Sequence, residues 1–419
     1  MKKMKFLAAA VAAVTITGIF SACSSPETNN TPAETGVTTE RVQAEAVYST
    51  EEIFGSFNGA FLKEYLKEQD NFVISPLSAK LALSMTAAGA DGGSATEKEL
   101  LDLFGYGTKE DMLADCGRII SELDSSKTIS TANSAWLSDR LKGLNDGYSD
   151  TLKDVFSAER FTEDLSSNGF VKKLNKWVDK NTKGMIPQLL NSPLSEDARL
   201  ALVNTLYFKN EWVWKFDKQS THDRDFNGKS GTTNVPTMYM VEHLQYGEGK
   251  SFKSVMLPYR DGSYMRVYLP LDENAQIADL IAEMSIDELN AEFETEYEEK
   301  NVVLSMPKFE CESGGSLLEM FERLGVREAF APFAASFGGI TDDKDANLYI
   351  SKIIQAAKII CDEDGTEAAA ATIVTMDAGG VMPVEEEPVE FIVDRPFLYE
   401  IKTASGETLF MGVMQDINS

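Results

Sequence analysis

The chain has 419 residues, 43% apolar and 25% charged, a balance that supports a substantial core in one large domain or two ordinary ones. Lysine and arginine total 39 against 67 aspartates and glutamates, a formal net charge of -28. So acidic a surface repels phosphate and sulfate polyanions, which argues against a nucleic-acid partner and against control by heparin.

Residues 1–23 read as a targeting segment. Lys2, Lys3 and Lys5 precede an apolar run, Phe6 to Phe20, that is too short to span a bilayer. Ser21, Ala22 and Cys23 follow, an arrangement that resembles a bacterial lipobox, with Phe20 where leucine is usual. The resemblance implies a signal peptide over 1–22, acylation of Cys23, and attachment to a membrane at the cell surface or in the periplasm. An ordinary secretion signal cut near Ala22 is the alternative, and it makes the protein secreted. Residues 24–47 are rich in Ser, Thr, Pro, Asn and Glu, so 23–47 is expected to be a flexible tether. No later stretch is long and apolar enough to cross a bilayer.

From Tyr48 the pattern turns helical, with Phe54, Phe57, Phe61 and Tyr65 forming one aromatic stripe. Helices are also predicted over Ala79–Ala88, Thr96–Phe104, Met112–Leu123 and Phe170–Lys180, with Ser78 and Thr96 capping the first two. Strands are predicted over Ala201–Lys209, Tyr264–Leu269, Asn301–Ser305, Leu348–Ile360 and Leu409–Met414. Helices gather early and strands recur throughout, so the class is α+β with large, mostly antiparallel sheets. With no internal repeat and no second linker, 48–419 reads as one domain.

Cys116, Cys311 and Cys361 show neither a disulfide framework nor metal-ligand spacing, and are read as buried free thiols. The only histidines, His222 and His243, lie in no zinc or nucleophile-elbow motif, and no phosphate or dinucleotide fingerprint occurs. An enzyme is therefore not expected, nor a metal or other cofactor.

The most informative stretch is Glu363-Asp-Gly-Thr-Glu-Ala-Ala-Ala-Ala-Thr372. It follows a predicted strand and leads into a long irregular run with Gly379, Gly380, Pro383, Glu385, Glu386, Glu387 and Pro388. A loop longer than about 20 residues in a compact domain is usually functional. Its first part, however, suits a strand entering an existing sheet: small side chains at Ala368, Ala369, Ala370 and Ala371, β-branched residues from Thr372 to Thr375, and no proline. Gly365 allows the backbone to fold over at the point of entry.

This segment resembles the hinge of the serpin family, in which an acidic residue, Gly, Thr, Glu and an alanine run open the reactive loop. Further motifs occur in the family's order: Asn71-Phe-Val-Ile-Ser-Pro-Leu-Ser78, Asn175-Lys-Trp-Val-Asp-Lys-Asn-Thr-Lys-Gly184, Asn204-Thr-Leu-Tyr-Phe-Lys-Asn-Glu-Trp212, Met306-Pro-Lys-Phe309, Leu324-Gly-Val326, Asp394-Arg-Pro-Phe397 and Phe410-Met-Gly412. The resemblance implies a large, mostly antiparallel main sheet, two further sheets, about nine helices and an exposed reactive loop over about 363–390. It also implies a monomer that inhibits serine, or cysteine, proteases as a suicide substrate.

On this reading the protease cuts the loop and forms an acyl-enzyme; the loop then inserts into the main sheet, carrying the enzyme about 50 Å at about 3.3 Å per residue. The hinge comprises Glu363, Gly365, Thr366, Glu367, Ala368, Ala369, Ala370, Ala371 and Thr372, with Asp364 a mild departure. Ser75, Ser78 and Asn204 match the polar cluster under the opening, and Gln355 stands where many members carry histidine. Trp212 resembles the tryptophan at the top of the sheet, a position that equally suits an ordinary core aromatic. Spacing from the hinge puts the bait bond at Gly379-Gly380 or Ala378-Gly379, whereas counting back from Pro396 points toward Glu385. The window Met376 to Met382 lacks basic and aromatic residues. Met376, Ala378 and Val381 each suit the small apolar pocket of an elastase-like or subtilisin-like protease or a papain-like one, and Asp377 suits an aspartate-specific one. A non-inhibitory member acting as a binding protein or chaperone is the alternative; an intact Thr366–Thr372 run argues against it.

Overall fold

Residues 56–141, 143–196, 198–293, 295–343, 348–366 and 387–417 are described by the structure, a computed structural model. The aromatic stripe forms as expected: Phe57, Phe61 and Tyr65 bury one face of α1 (Ser56–Leu66), where Phe57 and Phe61 stack against Phe321. Phe54 lies outside the described residues. After β1 (Phe72–Ile74) comes α2 (Pro76–Ala87), an almost wholly buried helix.

The caps fall earlier than predicted. Ser75 caps α2, its hydroxyl accepting from the Ser78 N–H at 3.1 Å, and Pro76 occupies the first turn, where a missing N–H costs nothing. The Ser78 hydroxyl instead crosses to Asn204. Ser94, not Thr96, caps α3 (Ala95–Leu103); Thr96 is buried and accepts from the Ser336 N–H.

Next come α4 (Lys109–Ser125), β2 (Ile129–Ser138), α5 (Asp146–Asp154), β3 (Glu159–Glu163) and α6 (Asn168–Asn181). The strand-rich part opens with β4 (Leu200–Phe208), β5 (Asn210–Glu211), β6 (His222–Gly228), β7 (Gly231–Glu248), β8 (Phe252–Pro258) and β9 (Tyr264–Pro270). Two helices, α7 (Ile277–Glu283) and α8 (Ile286–Phe293), precede β10 (Glu298–Pro307), β11 (Phe309–Ser316) and α9 (Leu318–Arg323). The last strands are β12 (Lys352–Asp362), β13 (Gly365–Thr366), β14 (Val389–Ile392), β15 (Phe397–Lys402) and β16 (Thr408–Met414). β12 starts at Lys352, not Leu348, because Ile350 and Ser351 are engaged elsewhere: the Ile350 N–H binds the Ala329 carbonyl and the Ser351 hydroxyl the Leu200 carbonyl.

The fold is α+β. The main sheet runs β3-β2-β4-β12-β13-β5, with β11 on the other side of β12. A second sheet runs β1-β16-β15-β9-β8-β7-β10-β14, with β6 paired to β7. The two smaller sheets implied by the resemblance run into each other here, because β7, with 18 residues, pairs with β6 and β10 and then with β8 at its end. Parallel pairs are confined to β2–β3, β4–β12 and β10–β14 among the described residues. Every residue of β4 is buried because α2 packs behind the main sheet and α6 lies across its front. Phe170, Leu174, Trp177 and Val178 of α6 cover Trp136, Ala201, Val203 and Ala356.

Candidate functional site

β4 and β12 run parallel but pair only through Ala201–Thr205 and Lys352–Ala356. Beyond that point, Leu206–Phe208 and Ala357–Ile360 have no strand between them among the described residues. At the top of this split the chain doubles back, and β13 stands between the walls. Thr366 is paired with Cys361 on one side and Asn210 on the other; Gly365 is paired with Asp362 and Glu211. Both pairings are antiparallel, so Gly365 and Thr366, the first two residues after the turn, already occupy a strand position in the main sheet.

Each of the two is fitted to that position. A Cβ on Gly365 would lie 2.1 Å from the Asn210 carbonyl oxygen, so only glycine fits this approach. Thr366 is 0% exposed and its hydroxyl is hydrogen-bonded to the Tyr259 hydroxyl. Tyr259 in turn stacks on Trp212 with ring centroids 4.4 Å apart.

The turn at Glu363 and Asp364 is held from several directions. The Asp362 carboxylate accepts from the Asp364 and Gly365 N–H groups at 2.9 and 3.3 Å. The carbonyls of Asp362, Glu363 and Asp364 accept, in turn, from the Trp212 indole N–H, the Phe216 N–H and the Trp212 N–H, at 2.9, 3.0 and 3.1 Å. Glu363 is paired with Lys308 at 2.7 Å and accepts from the Thr221 hydroxyl at 2.9 Å. Asp364 is paired with Lys215 at 3.1 Å and with Lys218. Burial alone would raise both carboxyls, but Lys308 with Thr221 on the first, and Lys218 with Lys215 on the second, hold them below the ordinary carboxylate range. Asp362 goes the other way: burial raises it, and the neighbouring Asp364 charge adds to the rise.

Below the split lies a polar rung. Asn133, Asn204 and Gln355 face each other across β2, β4 and β12. The Asn204 amide donates to Asn133 Oδ1 at 2.6 Å, and the Ser78 hydroxyl donates to Asn204 Oδ1. Gln355 both donates and accepts, to the Ser75 carbonyl at 2.8 Å and from the Ser75 N–H at 3.1 Å. Buried amides in the middle of a sheet are tolerated when satisfied in this way.

The structure thus brings together Ser75, Ser78, Asn204 and Gln355 below the split, and Glu363, Gly365, Thr366 and Trp212 at its top. Residues Glu367, Ala368, Ala369, Ala370, Ala371 and Thr372 lie outside the described residues, as do Met376, Ala378, Gly379, Gly380, Val381 and Cys23. Sequence reasoning missed Tyr259, Lys215, Lys218, Lys308 and Asn133. Lys308 stood inside the Met306–Phe309 motif, but a motif does not say which carboxylate a lysine meets.

Cys116, Cys311 and Cys361 are free and buried, as read from their spacing. Burial pushes the Cys116 thiol up to about 11 and that of Cys311 up to about 12. Among the described residues no helix is long and apolar enough to cross a membrane.

The comparisons with known proteins agree with this geometry. A family model described as Serpin (serine protease inhibitor) matches residues 55–417. The chain is 31% identical over 363 residues to Iripin-1 of Ixodes ricinus, a match covering 83% of this chain and 90% of that protein. It is 30% identical to glia-derived nexin of Mus musculus over 362 residues, 83% of this chain and 87% of the nexin. The thermophilic serpin tengpin in its native state superposes with a TM-score of 0.78 at 28% identity, covering 87% of this chain and 94% of tengpin. Native protease nexin-1 with heparin gives 0.73 at 28% identity, with 88% and 99% covered. The chain belongs to the serpin family, a family of non-enzymatic proteins of which many are protease inhibitors.

Proposed function

We propose that this serpin is a suicide-substrate inhibitor whose cleaved loop completes the main sheet. The observation that carries the reading is the register of β13. Thr366 stands between Cys361 and Asn210. Counting the same number of residues along all three strands brings Thr375 between Lys352 and Ala201, which are already Cα partners. A strand from Glu367 to Thr375 would therefore enter without slippage, exchanging the β4–β12 pairing for two new ladders.

Its alternate residues Ala368, Ala370, Thr372 and Val374 would share the inward face of Thr366, and Thr372 would reach the rung of Asn204 and Gln355. Where the β4–β12 pairing ends, the new strand would offer main-chain partners to both walls. Displacement of the tethered protease would pull its catalytic groups out of register and prevent deacylation.

The bait bond is assigned to Gly379-Gly380, with Ala378-Gly379 next, and the target to an elastase-like or subtilisin-like serine protease or a papain-like cysteine protease. The net charge of -28 speaks against a polyanion cofactor, and Cys23 is proposed as a lipid anchor. Mass spectrometry of the N-terminal peptide tests the anchor, which fails if Cys23 carries no acyl group. Incubation with elastase-like proteases, read on denaturing gels and by N-terminal sequencing of the released fragment, tests the inhibitory reading. A covalent complex with a new N-terminus at Gly380 is expected. Clean cleavage with undiminished protease activity would refute it.

A further inference from the structure

We propose that Asp364 is a positioning residue for loop insertion: held by Lys215 and Lys218, it keeps the top of the main sheet open by the width of one strand. The proposal rests on the inhibitory reading above. The adjacent carboxylates of the turn are tied to opposite walls of the split. Glu363 is bound by Lys308, which lies between β10 and β11 on the β12 side. Asp364 is bound by Lys215 and Lys218, which lie on the segment following β5, the continuation of the β4 wall.

The second tie is part of a longer chain of charges. Lys215 also reaches Glu211 at 3.2 Å, Glu211 reaches Arg260 at 3.1 Å, and Glu211 is the strand partner of Gly365. Asp364 therefore links the returning loop to the wall beside which that loop is paired. A strand entering a sheet needs its two neighbours about 4.8 Å away on either side. With both walls fixed at that spacing at the top, insertion begins by adding residues to an existing pair, before the β4–β12 pairing below has to part.

Insertion competes with hydrolysis of the acyl-enzyme, so a slower first step releases more cleaved inhibitor and traps less protease. Loss of the Asp364 tie should alter that partition and leave acylation, which precedes insertion, unchanged. The tie should also weaken in salt, because the Lys218 side chain is 63% exposed.

The test measures the stoichiometry of inhibition, the acylation rate and the melting temperature for the full chain and four variants. Asp364→Asn and the double variant Lys215→Gln/Lys218→Gln should each raise the ratio of hydrolysed to trapping inhibitor about three- to fivefold, the size expected from losing a partly exposed ion pair. Asp364→Glu should restore the wild-type value. Arg118→Gln, which breaks a charge cluster on α4, serves as the control for lost stability and should leave the partition unchanged. If the wild-type chain traps protease and both hinge variants trap it equally well, the proposal is overturned alone. A partition that merely follows melting temperature across all variants overturns it as well. If the wild-type chain is cut without trapping, the inhibitory reading falls and this proposal with it.

Discussion

The two sheets of this serpin meet the demand for backbone pairing in different ways. In the nine-stranded sheet β15 lies between β16 and β9, paired with the first over Phe397–Lys402 and with the second over Leu398–Lys402. Its core is closed tightly enough to bury an ion pair, Arg266 with Glu400, together with Lys402. In the seven-stranded sheet the central pair β4 and β12 meets over five residues and then parts, with a two-residue strand seated at the far end. The first sheet has its strands paired along their length, whereas on the proposed function the second has pairing to gain from the loop. On that reading metastability is local: it resides between β4 and β12.

The strongest way to break that comparison is to cut the loop. If the split is the store of unrealised pairing, cleavage within Met376–Met382 should let Glu367–Thr375 insert and stabilise the molecule. Ladder hydrogen bonds at about 1 kcal/mol net each give a gain on the order of 10 kcal/mol, a melting rise on the order of 10 °C or more for a chain of this size. Calorimetry before and after nicking reads this directly, and an unchanged melting temperature would show that both sheets are complete from the start.

The next effect concerns the entry point alone. Thr366 is wholly buried against Tyr259, and an arginine there would place an unpaired charge in the sheet interior. Thr366→Arg should turn the inhibitor into a substrate, with the yield of covalent complex on gels falling about tenfold or more. A complex yield that survives the change would mean that β13 is not the start of the inserting strand.

The smallest effect belongs to the closed sheet. Burial draws the Lys402 amine down to about 8 even though Glu400 favours its charge. Its pKa in the fold lies below the ordinary lysine value near 10.4, so between about pH 8 and 10 the unfolded chain holds a proton that the folded chain has given up. Stability should rise with pH across that window. Lys402→Met should abolish the rise and add about 2 kcal/mol at neutral pH, measured by urea denaturation. No such change should touch protease trapping, because Lys402 lies outside the split.

The sequence made the outline legible wherever local chemistry decides structure. The aromatic spacing of α1 and the strand predicted over Ala201–Lys209 reached the structure with small shifts of boundary. The caps of α2 and α3 were displaced because each true cap had a second hydroxyl two or three residues later; Pro76, suited to a first helical turn, was the available sign for Ser75. For Gln355, its capacity to donate and accept was readable, but not its partner, a serine main chain 280 residues away. The same holds for the lysines around the turn, since Lys218 is 146 residues from Asp364. Ion pairs of that separation are set by the topology of the sheet, which no local pattern encodes.

Three successive carbonyls, from Asp362 to Asp364, are fastened to Trp212 and Phe216. A strand that grows from such an anchorage works as a ruler with its zero mark welded to the body. If the proposed insertion operates, residues added after the bait bond would change how the protease is offered the loop, but not how far it is finally hauled. Lengthening or trimming the run around Glu385–Glu387 should thus retune which enzyme bites, whereas a single residue gained or lost between Thr366 and Gly379 should change the length of the throw itself.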